Sequence, residues 1–204
     1  ANDAIPVTIG SRPPIHQSSI TASHYALDSH AVRKREEGRV HLDGFLSYPS
    51  AVYTVPYGVM VPKEVGNLLL PVPVSGSHIG FSTLRMEPCW MAMGQAAGIA
   101  SALSIDGKVK VQNIDLSRLQ DKLVDQKATL MYFKDVDYTS PHFRMVQYLG
   151  LRGYLPEWTA RLQEPVDMAT LTAWKKLSGK DLPGIEAGKT TRLVALEMIY
   201  RKIK

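Results

Sequence analysis

The chain has 204 residues, 45 % of them hydrophobic and 21 % charged, with a formal net charge of +5. That composition is ordinary for a soluble globular protein long enough to bury a core in one or two domains. The single cysteine, Cys89, excludes an internal disulfide framework and any Cys-rich zinc site. No apolar run reaches the roughly 18 residues of a membrane span, and no signal or transit segment is present as the chain stands. The excess positive charge collects near the C-terminus, from Lys175 to Lys204, where it alternates with acids and apolar residues. This reads as a solvated helical face and not as a nucleic-acid track.

Residues 1–20 show no clear period, with Arg12, Pro13, Pro14 and the Ser18, Ser19 pair interrupting any pattern. Between 21 and 66, three stretches read as short strands: Ser23 to Leu27, Arg39 to Leu42 and Ala51 to Val55. The charged run from Arg33 to Arg39 reads as a solvated loop or hairpin tip. Asp28, Ser29 and His30 place an acid, a hydroxyl and an imidazole side by side. They do not read as a hydrolase triad, because neighbours on an extended chain point to opposite faces and triad members come from separate elements. The six histidines include no H-x-x-x-H pair, so no metal site is expected.

From Leu68 to Val74 an apolar run reads as a buried strand. A polar turn of small residues follows from Ser75 to Ser82, and then a helix with Pro88 in its first turn, where a missing N–H has no intrahelical role. Gly94 and Gly98 share a face of that helix, with Ala97, Ser101 and Ala102 beside them. Each glycine costs about 1 kcal/mol relative to alanine, so a close neighbour is expected on that face. Two occupants fit: a helix or sheet, or a cofactor at the helix start, where N–H groups and the positive dipole end favour an anion or an electron-rich ring. Cys89 reads as a small buried hydrophobe. Arg85 and Glu87 read either as an ion pair fixing the loop or as substrate-recognition groups.

The succession Asn67 to Val72, Ser75 to His78, Arg85 to Pro88 and Gly94 to Ala97 resembles the C-terminal flavin-contacting segment of a family of bacterial FAD-dependent oxidoreductases. There an Asn-Leu-Leu-Val-Pro-Val strand leads to a Ser-x-Ser-His turn, an Arg-Met-Glu-Pro and a Gly-Gln-x-Ala helix. Upstream, Tyr25, Asp28 and His30 are similar to the family's Tyr-x-x-Asp-x-His. Tyr53, Pro56, Tyr57, Pro62 and Lys63 are similar to its Tyr-x-Ile-Pro-Tyr-x-x-Leu-x-Pro-Lys. One departure stands out: the G-x-G-x-x-G fingerprint that binds the FAD pyrophosphate in the family occurs nowhere in this sequence. The resemblance therefore implies the C-terminal portion of a larger enzyme.

It implies that Ser75, Gly76 and Ser77, with Gly94, Gln95, Ala96 and Ala97, border the flavin ring. His78, His30 and Arg85 would face the substrate. His78 has the better position, in the turn after the expected strand, because ligands of open α/β sheets bind at strand carboxyl ends. His30 offers the neutral-pH proton acceptor that oxidation of an alcohol or amine needs, and a structural histidine is its other reading. FAD is expected not to be retained by this chain alone, since the remaining contacts would come from its expected partner, an N-terminal dinucleotide-binding half. The substrate is an unidentified small molecule or carbohydrate, and neither nucleic acid nor membrane is expected as a partner. Homo-oligomerisation and compartment (cytoplasmic, periplasmic or secreted) are left open.

Asp115 to Thr129 reads as an amphipathic helix with Leu116, Leu119, Leu123 and Ala128 near one face, capped by Asn113 or Asp115. Beyond Asp135 three helices are expected: Pro141 to Leu149, a second opened by Pro165, Val166 and Asp167 and running to Leu177, and a third capped by Thr190 or Thr191. With the Gly153-Tyr154 turn this tail is similar to an S-layer-homology module, which implies a cell-wall-binding appendage; a lid or dimerisation domain is the other reading. The expected architecture is α+β: a substrate-domain-like β segment over 1–66, a flavin-contacting strand and helix of a partial FAD-binding α/β domain over 67–131, and a small helical domain over 132–204. A second function class is a non-catalytic wall or assembly module, or a lyase-like protein acting on polysaccharide through Tyr57, His78 and Arg85.

Overall fold

Pro71 and Pro73 lack the N–H that a β-ladder requires, and they occupy alternate positions of the run expected to be a buried strand. That run is not a strand. The computed structural model describes residues 25–26, 33–36, 39–42, 45–46, 54–76 and 84–204. Residues 68–76 follow an irregular path tied to a 3₁₀ turn, Tyr57–Met60: Leu70 N donates to Met60 O at 2.8 Å and Ser75 N to Val59 O at 2.8 Å.

Four short strands precede this region: β1 (Tyr25–Ala26), β2 (Arg33–Glu36), β3 (Arg39–Leu42) and β4 (Phe45–Leu46). β1 pairs antiparallel with β4, Tyr25 opposite Leu46, and β2 with β3, Arg33 opposite Leu42. The charged run read as a loop or hairpin tip thus supplies a strand. The α+β expectation, with a partial FAD-binding α/β domain and β substrate segments, is overturned. Among the described residues from 54 onward there is no strand, the two β pairs are separate and two-stranded, and helices dominate. Alternating proline removed the one strand on which an α/β layer would have been built.

The described residues fall into two compact units, one through Leu119 and the other Gln120–Lys204. The first holds α1 (Glu87–Gly107), which opens with Pro88 in its first turn as expected and ends at Lys108 in the left-handed conformation. α2 (Leu116–Asp125) is capped by Asp115, whose Oδ1 accepts from Ser117 N at 2.9 Å and Arg118 N at 3.2 Å. It ends four residues short of the expected Thr129. Lys127 turns left-handed at φ 64°, and no glycine marks the stop.

The second unit builds its core from α3 (Phe143–Leu151), α4 (Met168–Ser178) and α5 (Arg192–Ile203), with Val146, Leu149, Trp174, Leu196 and Ile199 buried. The helix termini are met internally. Asp167 caps α4, accepting from Thr170 N at 2.8 Å. At the start of α5, Arg192 N donates to Glu164 O and Leu193 N to Leu162 O, both at 2.8 Å, while Thr191 Oγ1 accepts from Val194 N. Side chains hold the intervening loops: Asp135 accepts from Ala160 N at 2.8 Å and Arg161 N at 2.7 Å. Gly150 lets the Phe133 ring close against α3, since a Cβ there would stand 3.1 Å from the ring.

Gln147, fully buried, is the polar centre of that core. Its Oε1 accepts from Leu130 N at 2.8 Å and Met131 N at 2.7 Å, and its Nε2 donates to Met131 O at 2.7 Å. Gln147→Met, which keeps the volume, would orphan two buried N–H groups and a carbonyl. We expect a loss of about 3 kcal/mol in urea unfolding; a loss under about 0.5 kcal/mol would mean that these groups find other partners.

Candidate functional site

α1 has two unlike faces. Met93, Ala96, Ala100, Leu103 and Ser104 are buried, at the spacing of one helix face. Met91, Gln95, Gly98, Ala102 and Ile105 recur at the same spacing on the other side and are exposed, Met91 by 74 % and Ile105 by 75 %. This stripe carries no charge over about 21 Å of helix. Gly94 lies at its edge, and a Cβ added at Gly94 or Gly98 would meet nothing within 4 Å. The cost of two interior glycines is therefore not offset by close packing among the described residues.

The start of α1 offers little to an anion. Met86 makes no side-chain cap, Pro88 has no N–H, and the N–H groups of Cys89 and Trp90 donate to Met86 O at 2.9 and 3.2 Å. Glu87 adds a carboxylate in the first turn. The indole Nε1 of Trp90, also in that turn, is buried with no hydrogen-bond partner among the described residues. A buried Trp N–H ordinarily finds an acceptor.

A clamped loop flanks the helix. Tyr57 is buried and its OH donates to Val111 O at 2.9 Å. Burial pushes its pKa up to about 12. Gln112 grips residues 65–67 from two sides: Nε2 donates to Val65 O and Oε1 accepts from Asn67 N, both at 3.2 Å. Asn67 takes a left-handed φ of 60° at the bend, and Ser104 Oγ lies 3.5 Å from its Oδ1.

The expected site residues land as follows. His30, His78 and Ser77 lie outside the described residues. Ser75 and Gly76 are exposed at the end of the clamped loop, and Arg85 is half-buried just before α1. Gly94 and Gln95 belong to the open side of α1, whereas Ala96 and Ala97 are buried. The sequence reading grouped Ala97 and Ser101 with the glycines; the structure turns Ala97 inward and spends the Ser101 hydroxyl on Ala97 O at 2.9 Å. Met91 and Ile105 were missed as members of the open stripe, although their spacing from Gly98 gives them away. The Gln112 clamp and the orphaned Trp90 N–H carry no sequence signal. Among the described residues no group of three or more His, Cys, Asp or Glu could hold a metal ion, and no helix is long and apolar enough to cross a membrane.

A family model described as FAD dependent oxidoreductase matches residues 11–123. Comparison with curated proteins and comparison with solved structures each give no match.

Two measurements test this geometry. Because Gly94 and Gly98 face open space, Gly94→Ala and Gly98→Ala should each raise stability by about 0.5–1 kcal/mol in urea unfolding; a loss would show that something already occupies the face. The folded Tyr57 phenol ionises later than the unfolded one, so its contribution is complete below pH 10 and is lost as pH rises to about 12. Tyr57→Phe should flatten that alkaline fall while costing about 1–2 kcal/mol at neutral pH, where Val111 O loses its donor.

Proposed function

Since the chain belongs to the FAD dependent oxidoreductase family, we propose that it is the C-terminal portion of such an enzyme and supplies the flavin-ring and substrate side of the active site. The observation that carries this is the open face of α1. An uncharged stripe whose two glycines meet no atom within 4 Å among the described residues lets a planar ring or a backbone approach within van der Waals contact. Charged phosphates would find no such welcome there, in keeping with a sequence that lacks the dinucleotide fingerprint. The residues present fit the ring and not the pyrophosphate.

In this reading Gly94, Gln95 and Gly98 lie against the ring, with Ser75, Gly76 and Ser77 at its border. The Trp90 N–H, buried without a partner among the described residues, would donate to a ring acceptor in this arrangement. When bound, FAD accepts a hydride equivalent from the substrate. His78 and His30 hold the accompanying proton at an imidazole nitrogen near neutral pH, and Arg85 orients an anionic or carbonyl-bearing substrate. The pyrophosphate and adenosine contacts belong to an N-terminal dinucleotide-binding half, the partner of this chain.

The test is the visible spectrum. Titration with riboflavin, which lacks phosphate, should shift the flavin band, and Trp90→Phe or Gly98→Val should weaken that interaction by roughly tenfold, the loss of one contact of about 1.4 kcal/mol. FAD itself should be lost on desalting. A shift untouched by either substitution would remove the ring from α1, and FAD retained by the chain alone would overturn the half-site reading.

A further inference from the structure

The densest charge in the second unit gathers at one end. The last turns of α4 and α5 and the loop after α4 carry Lys175, Lys176, Lys180, Arg201, Lys202 and Lys204, with Asp181 in that loop and Asp121 of α2 as the acids beside them. Lys175, Lys180 and Lys202 converge at the loop after α4, while Lys204 lies over the Tyr148 and Tyr200 rings. Lys175 Nζ lies 3.1 Å from Asp181 Oδ1, Lys202 Nζ donates to Asp181 O at 3.2 Å, and Lys180 Nζ donates to Lys202 O at 3.5 Å. Part of this has a local cause, since cations at helix C-termini offset the negative end of the macrodipole. Two helix ends amount to about one negative charge and Asp181 and Asp121 to one each, which leaves about half of the six cations uncompensated. Only Lys175 and Lys204 have a carboxylate within ion-pair distance among the described residues. Like charges held together repel, and that cost is recovered when a counter-charged surface arrives.

The kind of surface follows from the side chains. Five of the six cations are lysine, whose flexible ammonium groups attract anions without demanding the fixed bidentate geometry of a guanidinium. On the same turn as Lys175 and Lys176, Leu177 is 50 % exposed. A polybasic cluster with an exposed aliphatic side chain suits the headgroup and acyl boundary of an anionic bilayer. We propose that this end of the helical unit docks peripherally on an anionic phospholipid surface, the lysines on the headgroups and Leu177 at their base. Such docking needs no spanning helix and is independent of the flavin reading.

Sedimentation of the full chain with vesicles of phosphatidylcholine, with and without phosphatidylserine, tests it. Binding should require phosphatidylserine and weaken as salt rises. Lys176→Glu with Arg201→Glu should lower the apparent affinity at least roughly tenfold with an unchanged circular dichroism spectrum, and Leu177→Ser should lower it by roughly threefold. Equal binding to neutral vesicles, no binding to phosphatidylserine vesicles at low salt, or wild-type binding by the double variant would overturn the proposal. So would tighter binding to duplex DNA than to phosphatidylserine vesicles at equal accessible phosphate and equal salt.

Discussion

A helix leaves backbone donors at its start, acceptors at its end and at least one face that must either be buried or be solvated. The second unit meets all of these demands from within. Glu164 O and Leu162 O receive the first N–H groups of α5, Asp167 and Thr191 cap two helices, and Gln147 takes up the backbone of residues 130 and 131 from inside the core. Arg161 Nε is its exception, buried with no hydrogen-bond partner among the described residues. α1 in the first unit is different: one face is buried, the other is neither buried nor charged, and a tryptophan N–H in its first turn has no hydrogen-bond partner among the described residues. The contrast between a self-sufficient unit and a helix with an unmet face is the physical basis for reading function into the first unit.

Much of the helical structure was legible in the sequence because its signals are local. Pro88 at the start of α1, Asp115 before α2, Asp167 before α4 and Thr191 before α5 are each capping or first-turn residues, and each helix begins where they stand. The misreadings arose where a local signal was overridden or absent. Leu68 to Val74 has the apolar content of a buried strand, but alternating prolines strip it of donors, and the chain instead hangs on Val59 O and Met60 O. α2 stops early through a lysine in the left-handed conformation, which no glycine announces.

The candidate site was legible only in part, for a different reason. Helical spacing shows that Gly94 and Gly98 share a face but does not say whether that face is covered, and it placed Ala97 with them although Ala97 turns inward. Coverage depends on contacts made far along the chain, such as those by which Gln112 and Tyr57 fix the loop beside α1. Sequence motifs named the residue types, and tertiary packing decided which of them point outward. The histidines read as proton carriers, His30 and His78, carry the chemical argument through their type and their place in the motifs, not through observed contacts.

The family match and the structural division are independent, and they nearly coincide. The match spans residues 11–123, while the first compact unit ends at Leu119. Almost all of the helical unit therefore lies beyond the region that the family accounts for, with a core, caps and a buried glutamine of its own. The family match says nothing about such a unit. Its role has to be argued from its own surface, where the lysines at the ends of α4 and α5 are tied in part by Asp181, Asp121 and helix-end carbonyls and in part left in excess. A unit that gathers more cations than its helix ends and adjacent acids offset is suited to a counter-charged partner, and that cluster is where the unit's function has to be sought.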